Sequence, residues 1–314
     1  MKSVFVAGHT GLVGSALCRR WREAPGLRVV TARRDDLDLR DPGAVERFLR
    51  SERPEAVVAA AGTVGGIRAN ASRPAEFIHD NLMIEANLIH GAWKAGIRRL
   101  LNFGSGCMYP RECPQPMAPE RLMSGPMEPT SEPYALAKLA GWVMCRSYNR
   151  QHGTRYVTAV PCAVYGPGEN FDLEEGHVTS ALLRKFHEAK EQGIGRVTLW
   201  GTGRAQREFI YSEDLAEACD LLLERHEGDE PINVGTGEAV SIRDLAAAAA
   251  EVVGFEGKIE WDLSRPDGAP IKWLDSRAVR ALGWTPRTGL REGLQKTYAW
   301  FLQEKAAQNQ EAPA

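Results

Sequence analysis

Tyr134 and Lys138 lie four positions apart in a segment with helical patterning, so the phenol and the ammonium are expected on one helix face. A neighbouring cation favours the phenolate and brings a tyrosine, with a reference pKa of about 10, closer to proton transfer at neutral pH. A Tyr/Lys pair at this spacing is usually a solvated helix surface. Here, however, Ser105 follows an apolar run at residues 100–103, and parallel sheets bind ligands at the carboxyl ends of such strands. These three residues are therefore predicted to be catalytic.

A second motif, Gly8-His9-Thr10-Gly11-Leu12-Val13-Gly14, follows the first apolar run and opens the first helical pattern. Glycines at these spacings allow a tight turn, close approach of the backbone to a pyrophosphate, and close packing of helix on strand. The position of the motif favours a dinucleotide site over a plain glycine turn. The candidate contacts are Gly8, Thr10, Gly11, Leu12, Val13 and Gly14.

The residues after the second apolar run bear on which dinucleotide binds. An NAD-selective site usually ends this strand with an acidic residue for the ribose 2′-hydroxyl, whereas here Arg33 and Arg34 follow. Two guanidinium groups favour a 2′-phosphate by charge and forked geometry, although a solvated basic loop is the alternative. NADP(H) is therefore expected as the cofactor, and the acidic Asp35-Asp36 pair leaves the strictness of that preference open. Asp38 and Leu39 are candidate adenine contacts.

Short apolar runs alternate with longer helical patterns through the first half of the chain, at residues 3–7, 28–31, 56–61, 100–103 and 156–161. This alternation predicts an α/β fold with a Rossmann-type doubly wound parallel sheet. From Gly166 the pattern loosens, which predicts a smaller, less regular C-terminal α/β lobe that binds substrate. A strand-like segment at 231–235 indicates one return to the main sheet. We expect a dinucleotide-binding domain over 1–165, rejoined near 205–240, and a substrate lobe over 166–204 and 241–314.

Two long helical patterns, at residues 76–95 and 134–151, are apolar on more than one face. Helices of this kind need a second burial surface, which is either a contact within the chain or a subunit interface. A homodimer through these two helices is expected.

The composition is that of an ordinary globular protein: 314 residues, 43% hydrophobic and 25% charged, with a formal net charge of -2. It lacks the basic excess that nucleic-acid binding requires. No apolar run reaches the roughly 18 residues of a membrane helix, and the first run is too short for a signal peptide. The six cysteines have neither metal-site nor disulfide-scaffold spacing. A cytoplasmic protein without a metal site is expected.

The glycine motif, Ser105 and Tyr134-x-x-x-Lys138 together resemble the extended short-chain dehydrogenase/reductase superfamily. More specifically, nine segments are similar to the GDP-L-fucose synthases, at 64–70, 74–78, 104–110, 132–134, 170–171, 177–178, 181–186, 207–209 and 266–272. The similarity covers nearly the whole chain.

The resemblance implies NADPH-dependent 3,5-epimerisation and 4-reduction of a GDP-4-keto-6-deoxy-sugar. It implies that Cys107 is the base and His177 the acid of the epimerisation, and that His177 and Lys138 also border the cofactor. Ser105 and Tyr134 then bind the sugar oxygen, which Tyr134 protonates. Further implied contacts around the GDP-sugar are Arg184, Lys185, Trp200, Arg207 and Lys272.

The chain departs from this family pattern near the expected site. Gly106 stands where a second serine is usual, and Cys162-Ala163 replace Thr-Asn. These departures leave open a GDP-keto-sugar 4-reductase that has lost or altered epimerisation, or that acts on a different GDP-sugar. A non-catalytic NADP-binding sensor is a more remote alternative.

Overall fold

The computed structural model describes residues 1–173, 176–265 and 267–311, and its first half alternates strands with helices. The elements of this half are β1 (Ser3–Ala7), α1 (Leu12–Arg22), β2 (Arg28–Val30), α2 (Pro42–Glu52), β3 (Ala56–Ala59), α3 (Ile67–Ser72), α4 (Pro74–Lys94), β4 (Arg99–Phe103), α5 (Glu132–His152) and β5 (Arg155–Pro161). Short 3-10 turns at Gly106–Met108 and Pro119–Arg121 lie between β4 and α5. The apolar runs therefore located the main strands and helices correctly.

The main sheet has six strands in the order β2-β1-β3-β4-β5-β9, where β9 is Ile232–Val234. Every neighbouring pair is parallel, which confirms the predicted doubly wound sheet. β9 also confirms that the chain returns to this sheet. Because strand order reverses between β1 and β3, a crevice for ligands is expected at the carboxyl ends of these strands.

Helices cover both faces of this sheet. Val4 and Val6 pack with α1 and with α7 (Ser212–Arg225), whereas Phe5 and Ala7 pack with α2 and α4. Successive side chains of a strand point to opposite faces, so β1 contributes to two separate cores. This double burial explains why the strands are continuous apolar runs.

The second half of the chain adds a lobe around a third apolar core. Its elements are β6 (Ala163–Tyr165), α6 (Val178–Glu191), β7 (Arg196–Trp200), β8 (Gln206–Tyr211), β10 (Ala239–Ser241), α8 (Ile242–Val253), β11 (Lys258–Asp262), β12 (Ile271–Lys272), α9 (Arg277–Ala281) and α10 (Leu290–Glu311). β8 pairs with β6, β10 and β12, and β7 pairs with β11. Side chains of α6, α8 and α10 fill the core between them. This region is more regular than its loosened sequence pattern indicated.

The two long helices α4 and α5 pack against each other as well as on the sheet. Part of the second burial surface that their patterning requires is therefore inside the chain. Leu136 on α5 nevertheless remains 45% exposed. In the described part of the chain, no helix combines the length and apolarity needed to cross a membrane.

The turn between β1 and α1 needs glycine at two of its three glycine positions. Gly8 has a φ of +82°, and a Cβ there would lie 2.6 Å from the backbone of Ala61. A Cβ on Gly14 would lie 2.1 Å from the Gly8 carbonyl oxygen. At Gly11 the nearest atom would be 3.5 Å away, which is ordinary contact. Protein packing therefore requires Gly8 and Gly14 but not Gly11.

Gly14→Ala is expected to lower the free energy of unfolding by about 1 to 3 kcal/mol, because the added methyl group forces α1 away from the turn. Gly11→Ala is expected to cost less than about 1 kcal/mol, as for other changes at an N-cap. Urea unfolding of the protein without added cofactor measures both. Equal destabilisation by the two substitutions would contradict this account of the turn.

Candidate active site

The amino end of α1 is open to an anion. Gly11 is the N-cap residue and provides no side-chain capping hydrogen bond, so no side chain caps the helix amides that begin at Leu12 and Val13. Helix amino ends carry partial positive charge and bind phosphate groups. Thr10 lies exposed beside Gly11. The turn therefore fits the pyrophosphate of a dinucleotide.

Positive charge gathers next to this turn. Arg33 and Arg34 lie exposed in the loop after β2, and neither forms an ion pair with another described residue. Burial lowers the pKa of His9, and the charges of Arg22 and Arg33 lower it further. Because Arg33 acts on the His9 imidazole, the positive potential of its loop extends to the glycine turn. This potential suits an additional phosphate on the adenosine ribose of the cofactor.

Asp38, the candidate adenine contact, is held by an arginine that the sequence did not single out. Arg40 Nη2 lies 2.8 Å from Asp38 Oδ2, and Arg40 Nη1 lies 3.3 Å from Asp80 Oδ1. Hydrogen bonds from Arg40 lower the pKa of Asp38 to about 2. Asp38 is thus an anion at neutral pH, with its carboxylate already engaged, and the neighbouring Leu39 is half-buried.

A short turn after β4 brings three reactive groups together. Ser105 Oγ accepts a hydrogen bond from the Cys107 amide at 3.2 Å. The Ser105 hydroxyl also lies close enough to the Tyr134 phenol, at the start of α5, to lower its pKa. Burial raises the pKa of Tyr134; the Lys138 cation opposes this rise, and negative charge on Cys107 or Glu85 adds to it. Cys107 therefore lies close enough to Tyr134 to act on it electrostatically.

Lys138 lies beneath Tyr134 and is paired with a buried acid. Its Nζ is 5.9 Å from the centroid of the Tyr134 ring and 2.6 Å from Glu85 Oε1. The Lys138 and Glu85 side chains are only 4% and 2% exposed. Burial alone would lower the pKa of Lys138, but the negative charges of Glu85 and Tyr134 outweigh it and leave this pKa raised.

Glu85 was missed by the sequence reasoning. It lies on α4 between Ile84 and Leu88, within a stretch that was interpreted only as an apolar helix face. A single carboxylate among apolar residues of a buried helix was the available signal, because such a group needs a partner.

His177 lies on a different element from these groups. It is the N-cap residue of α6 and is exposed. Within the described ranges, no hydrogen bond or ion pair joins His177 to Ser105, Cys107 or Tyr134. The structure therefore brings together Ser105, Cys107, Tyr134 and Lys138, with His177 at the start of a different helix.

The two departures from the family pattern leave space rather than a substitute group. A Cβ added at Gly106 would meet no atom within 4 Å. Ala163 is exposed at the start of β6. Both positions have room for the larger polar residues that are usual in the family.

A pocket of about 170 Å³ lies in the second lobe and is lined largely by apolar side chains. Trp200, Trp261 and the stem of Lys185 form part of its wall. Trp200 is 55% exposed, and the guanidinium groups of Arg265 and Arg68 lie 5.0 Å and 5.8 Å from its ring centroid. Flat exposed rings beside cations suit a planar base attached to a phosphate.

The four candidate phosphate-binding cations are engaged to different extents. Arg184 donates to Glu188 Oε1 at 2.6 Å and to the Phe171 carbonyl at 3.0 Å, so it connects α6 to the preceding loop. Burial lowers the pKa of Lys185. Arg207 and Lys272 are register partners on β8 and β12, which places their side chains on one face. Pro266, in one of the family-like segments, lies outside the described residues.

Comparison with known proteins agrees with this architecture. The NAD dependent epimerase/dehydratase family matches residues 4–235. GDP-L-fucose synthase 1 of Arabidopsis thaliana is 48% identical over 299 residues, covering 95% of this chain and 93% of that protein. GDP-L-fucose synthase of Escherichia coli (strain K12) is 46% identical, covering 96% of this chain and 97% of that protein.

A solved structure shows the same arrangement over almost its full length. GDP-mannoheptose C4 reductase from Campylobacter jejuni, with NADP bound, superposes with a TM-score of 0.87. It is 35% identical, and the match covers 96% of this chain and 98% of that chain. The chain therefore belongs to the NAD dependent epimerase/dehydratase family and, within it, to the GDP-L-fucose synthases.

Proposed function

We propose that this enzyme converts GDP-4-keto-6-deoxy-D-mannose to GDP-L-fucose by epimerisation at C3 and C5 followed by reduction at C4 with NADPH. The observation that carries the proposal is the placement of the Cys107 thiol beside the Ser105–Tyr134 pair, with the Lys138 cation beneath it. One ketone bound to Ser105 and Tyr134 then has a base next to its α carbons and a proton donor at its oxygen.

The cofactor site fits NADP(H). The open amino end of α1 suits the pyrophosphate, and the exposed Arg33 and Arg34 suit the 2′-phosphate. When bound, NADPH supplies the hydride that reduces the C4 ketone. We propose that residues 1–165, with the return of the chain through α7 and β9, form the cofactor domain, and that 166–204 and 241–314, joined by β8, form the GDP-sugar lobe.

Epimerisation uses the acidity of protons next to the C4 ketone. Cys107 as thiolate removes a proton from C3 or C5, which leaves an enolate whose charge lies on O4, within reach of Ser105 and Tyr134. His177 returns a proton to the opposite face of the carbon. In the reduction that follows, hydride enters C4 and Tyr134 protonates O4, while Lys138 stabilises the phenolate that remains.

Tyr134→Phe and Cys107→Ser separate the two halves of this reaction. Tyr134→Phe is expected to lower the kcat of NADPH oxidation at least about 100-fold, because the proton donor is lost. It should still exchange deuterium from D₂O into the keto-sugar. Cys107→Ser is expected to slow that exchange by a similar factor, since the serine hydroxyl is a far weaker acid than a thiol. NMR of the sugar and absorbance at 340 nm measure the two activities.

A result in which both variants lose exchange and reduction together would contradict this division of roles. Gly106→Ala serves as the control in the same turn, because its Cβ would meet no neighbour. That control should fold as the unsubstituted protein does.

The alternative is a 4-reductase without epimerisation, and the exposed Ala163 favours it because the asparagine usual at this position in the family is absent. If the unsubstituted enzyme oxidises NADPH with the keto-sugar but exchanges no deuterium, this alternative replaces the proposal.

The nucleotide is proposed to bind between the pocket of Trp200 and the cations of the second lobe. Lys185 lines that pocket, and Arg207 and Lys272 share a face of the adjoining sheet. Arg184 has a smaller part, because the Glu188 carboxylate offsets its charge. Arg207 donates only to the backbone carbonyls of Gln206 and Ala269, which are neutral.

Lys185→Met and Arg207→Gln are each expected to weaken GDP binding about tenfold, equivalent to about 1.4 kcal/mol for a lost charged hydrogen bond. Arg184→Gln should weaken it much less. Isothermal titration calorimetry with GDP compares the three variants. A large loss for Arg184→Gln with none for the other two would place the pyrophosphate elsewhere.

We further propose a homodimer formed through α4 and α5. Ile78 and Leu82 on α4 are half-buried, and Leu136 on α5 is exposed. Such a stripe of partly exposed apolar residues suits a self-complementary interface.

The six cysteines are all free thiols, which supports a reducing compartment, and we propose the cytoplasm.

Leu136→Arg is expected to convert the dimer to a monomer, because a charge would be buried at the interface. Leu302→Arg is the matched control, since Leu302 is similarly exposed, at 40%, but lies on α10. Sedimentation velocity distinguishes the two oligomeric states. If Leu302→Arg dissociates the dimer and Leu136→Arg does not, the interface lies at α10 and this proposal is wrong.

A further inference from the structure

The Lys138–Glu85 pair is unusual within this protein. Of the ion pairs among the described residues, it is the one in which both side chains are less than 5% exposed. Two other buried carboxylates bind backbone amides instead. Asp214 binds the amides of Arg287 and Thr288, and Glu208 binds those of Gly237 and Leu274. Of these three carboxylates, Glu85 is the one that pairs with a residue of the proposed catalytic group.

Three elements are shaped around the Glu85 carboxylate. A Cβ on Gly141 of α5 would lie 1.4 Å from Glu85 Oε2, so only glycine leaves room for it. The Asn102 amide of β4 lies beside the same carboxylate and opposes the rise in pKa that burial imposes on Glu85. One turn earlier on α4, Asn81 binds the amide and the carbonyl of Thr63. α4 is thereby fixed to the loop after β3, and the position of the carboxylate is fixed with it.

We propose that Glu85 is a positioning residue for the reductive step, with a carboxylate that fixes the Lys138 ammonium beneath Tyr134 and keeps it charged away from water. Glu85 does not touch the substrate in this account and acts only through Lys138. For its kinetic test, the inference rests on the proposed function.

The charges around Glu85 determine whether removing its carboxylate raises or lowers the pH at which the Tyr134–Lys138 pair loses a proton. The titratable groups facing it are Lys138, Tyr134 and the Cys145 thiol, all on α5, and Asn102 on β4 is neutral. With Glu85 ionised, the ammonium is compensated. Without it, a buried positive charge has no partner, so the Tyr–Lys pair gives up a proton at lower pH. This holds whichever member loses the proton, because the two titrate as a coupled pair.

The test is the pH dependence of kcat for Glu85→Gln. Reduction needs a protonated Tyr134 over a charged Lys138, so activity falls as pH rises and the pair loses a proton. This fall in kcat is the basic limb of the pH profile. Removing the Glu85 charge is expected to move the basic limb to lower pH by about one unit or more. Glu85→Asp keeps the charge but shortens the side chain, and is expected to lower kcat while leaving the limb near its original pH.

Asp214→Asn is the matched control, because Asp214 is also buried, at 5% exposed, and far along the chain from the catalytic group. It is expected to lower thermal stability without moving the limb. If Glu85→Gln also lowers stability or rate but leaves the limb within the error of the fit, Glu85 is merely structural and the proposal is overturned.

A second measurement does not depend on turnover. NMR of protein labelled with ¹³C at lysine Cε and tyrosine Cζ follows both groups, with Lys138→Met and Tyr134→Phe assigning the signals. In Glu85→Gln, whichever signal titrates first should do so at lower pH than in the unsubstituted protein. Unchanged titration of both signals would overturn the proposal, whereas failure of the proposed function alone would abolish turnover and leave this titration shift in place.

Discussion

The ammonium group of Lys138 has to keep its positive charge at a place from which water is excluded. The packing of α4, α5 and β4 around Lys138 and Glu85 meets this requirement. In the proposed reduction Lys138 acts on Tyr134 only as an ammonium, yet its side chain is almost fully buried. A buried cation without a partner costs several kcal/mol or loses its proton. Glu85 compensates it, and the missing side chain of Gly141 leaves the space that the Glu85 carboxylate occupies. The packing of α4 against α5 therefore also affects the acidity of the Tyr134 phenol.

The doubly wound sheet accounts for how separate parts of the chain meet. β1 delivers the glycine turn, and β4 delivers Ser105 and Cys107, both at the carboxyl edge where parallel strands place ligand sites. α5 brings Tyr134 to the same edge. β6 leads from the main sheet into the second lobe by pairing with β8, which carries Arg207. A cofactor on one side and a sugar nucleotide on the other can therefore meet above β4.

The sequence predicted most of the strands and helices of the main sheet, because runs buried on both faces are strongly apolar and glycine turns have a fixed spacing. It also identified the Ser105, Tyr134 and Lys138 group. The lone carboxylate of Glu85 in an apolar helix indicated a buried acid, but the sequence could not identify its partner. The i, i+4 pattern that pairs Tyr134 with Lys138 operates within a helix, whereas Glu85 reaches Lys138 from another helix. The sequence reasoning also missed the engagement of Arg184 by the Phe171 carbonyl and of Asp38 by Arg40, since both contacts involve irregular loops. The lobe after Gly166 looked irregular because most of its strands are short or only partly buried; β10 and β12 have three and two residues, and β7 alternates exposed with buried positions.

In the proposed reaction, one site first inverts two carbons and then reduces a third. The most direct measurement supplies GDP-4-keto-6-deoxy-D-mannose and NADPH to the unsubstituted enzyme in D₂O and identifies the product by NMR. The expected product is GDP-L-fucose with deuterium at both C3 and C5, with one NADPH oxidised for each product molecule. A reduced sugar that keeps protium and its original configuration at both carbons would contradict it.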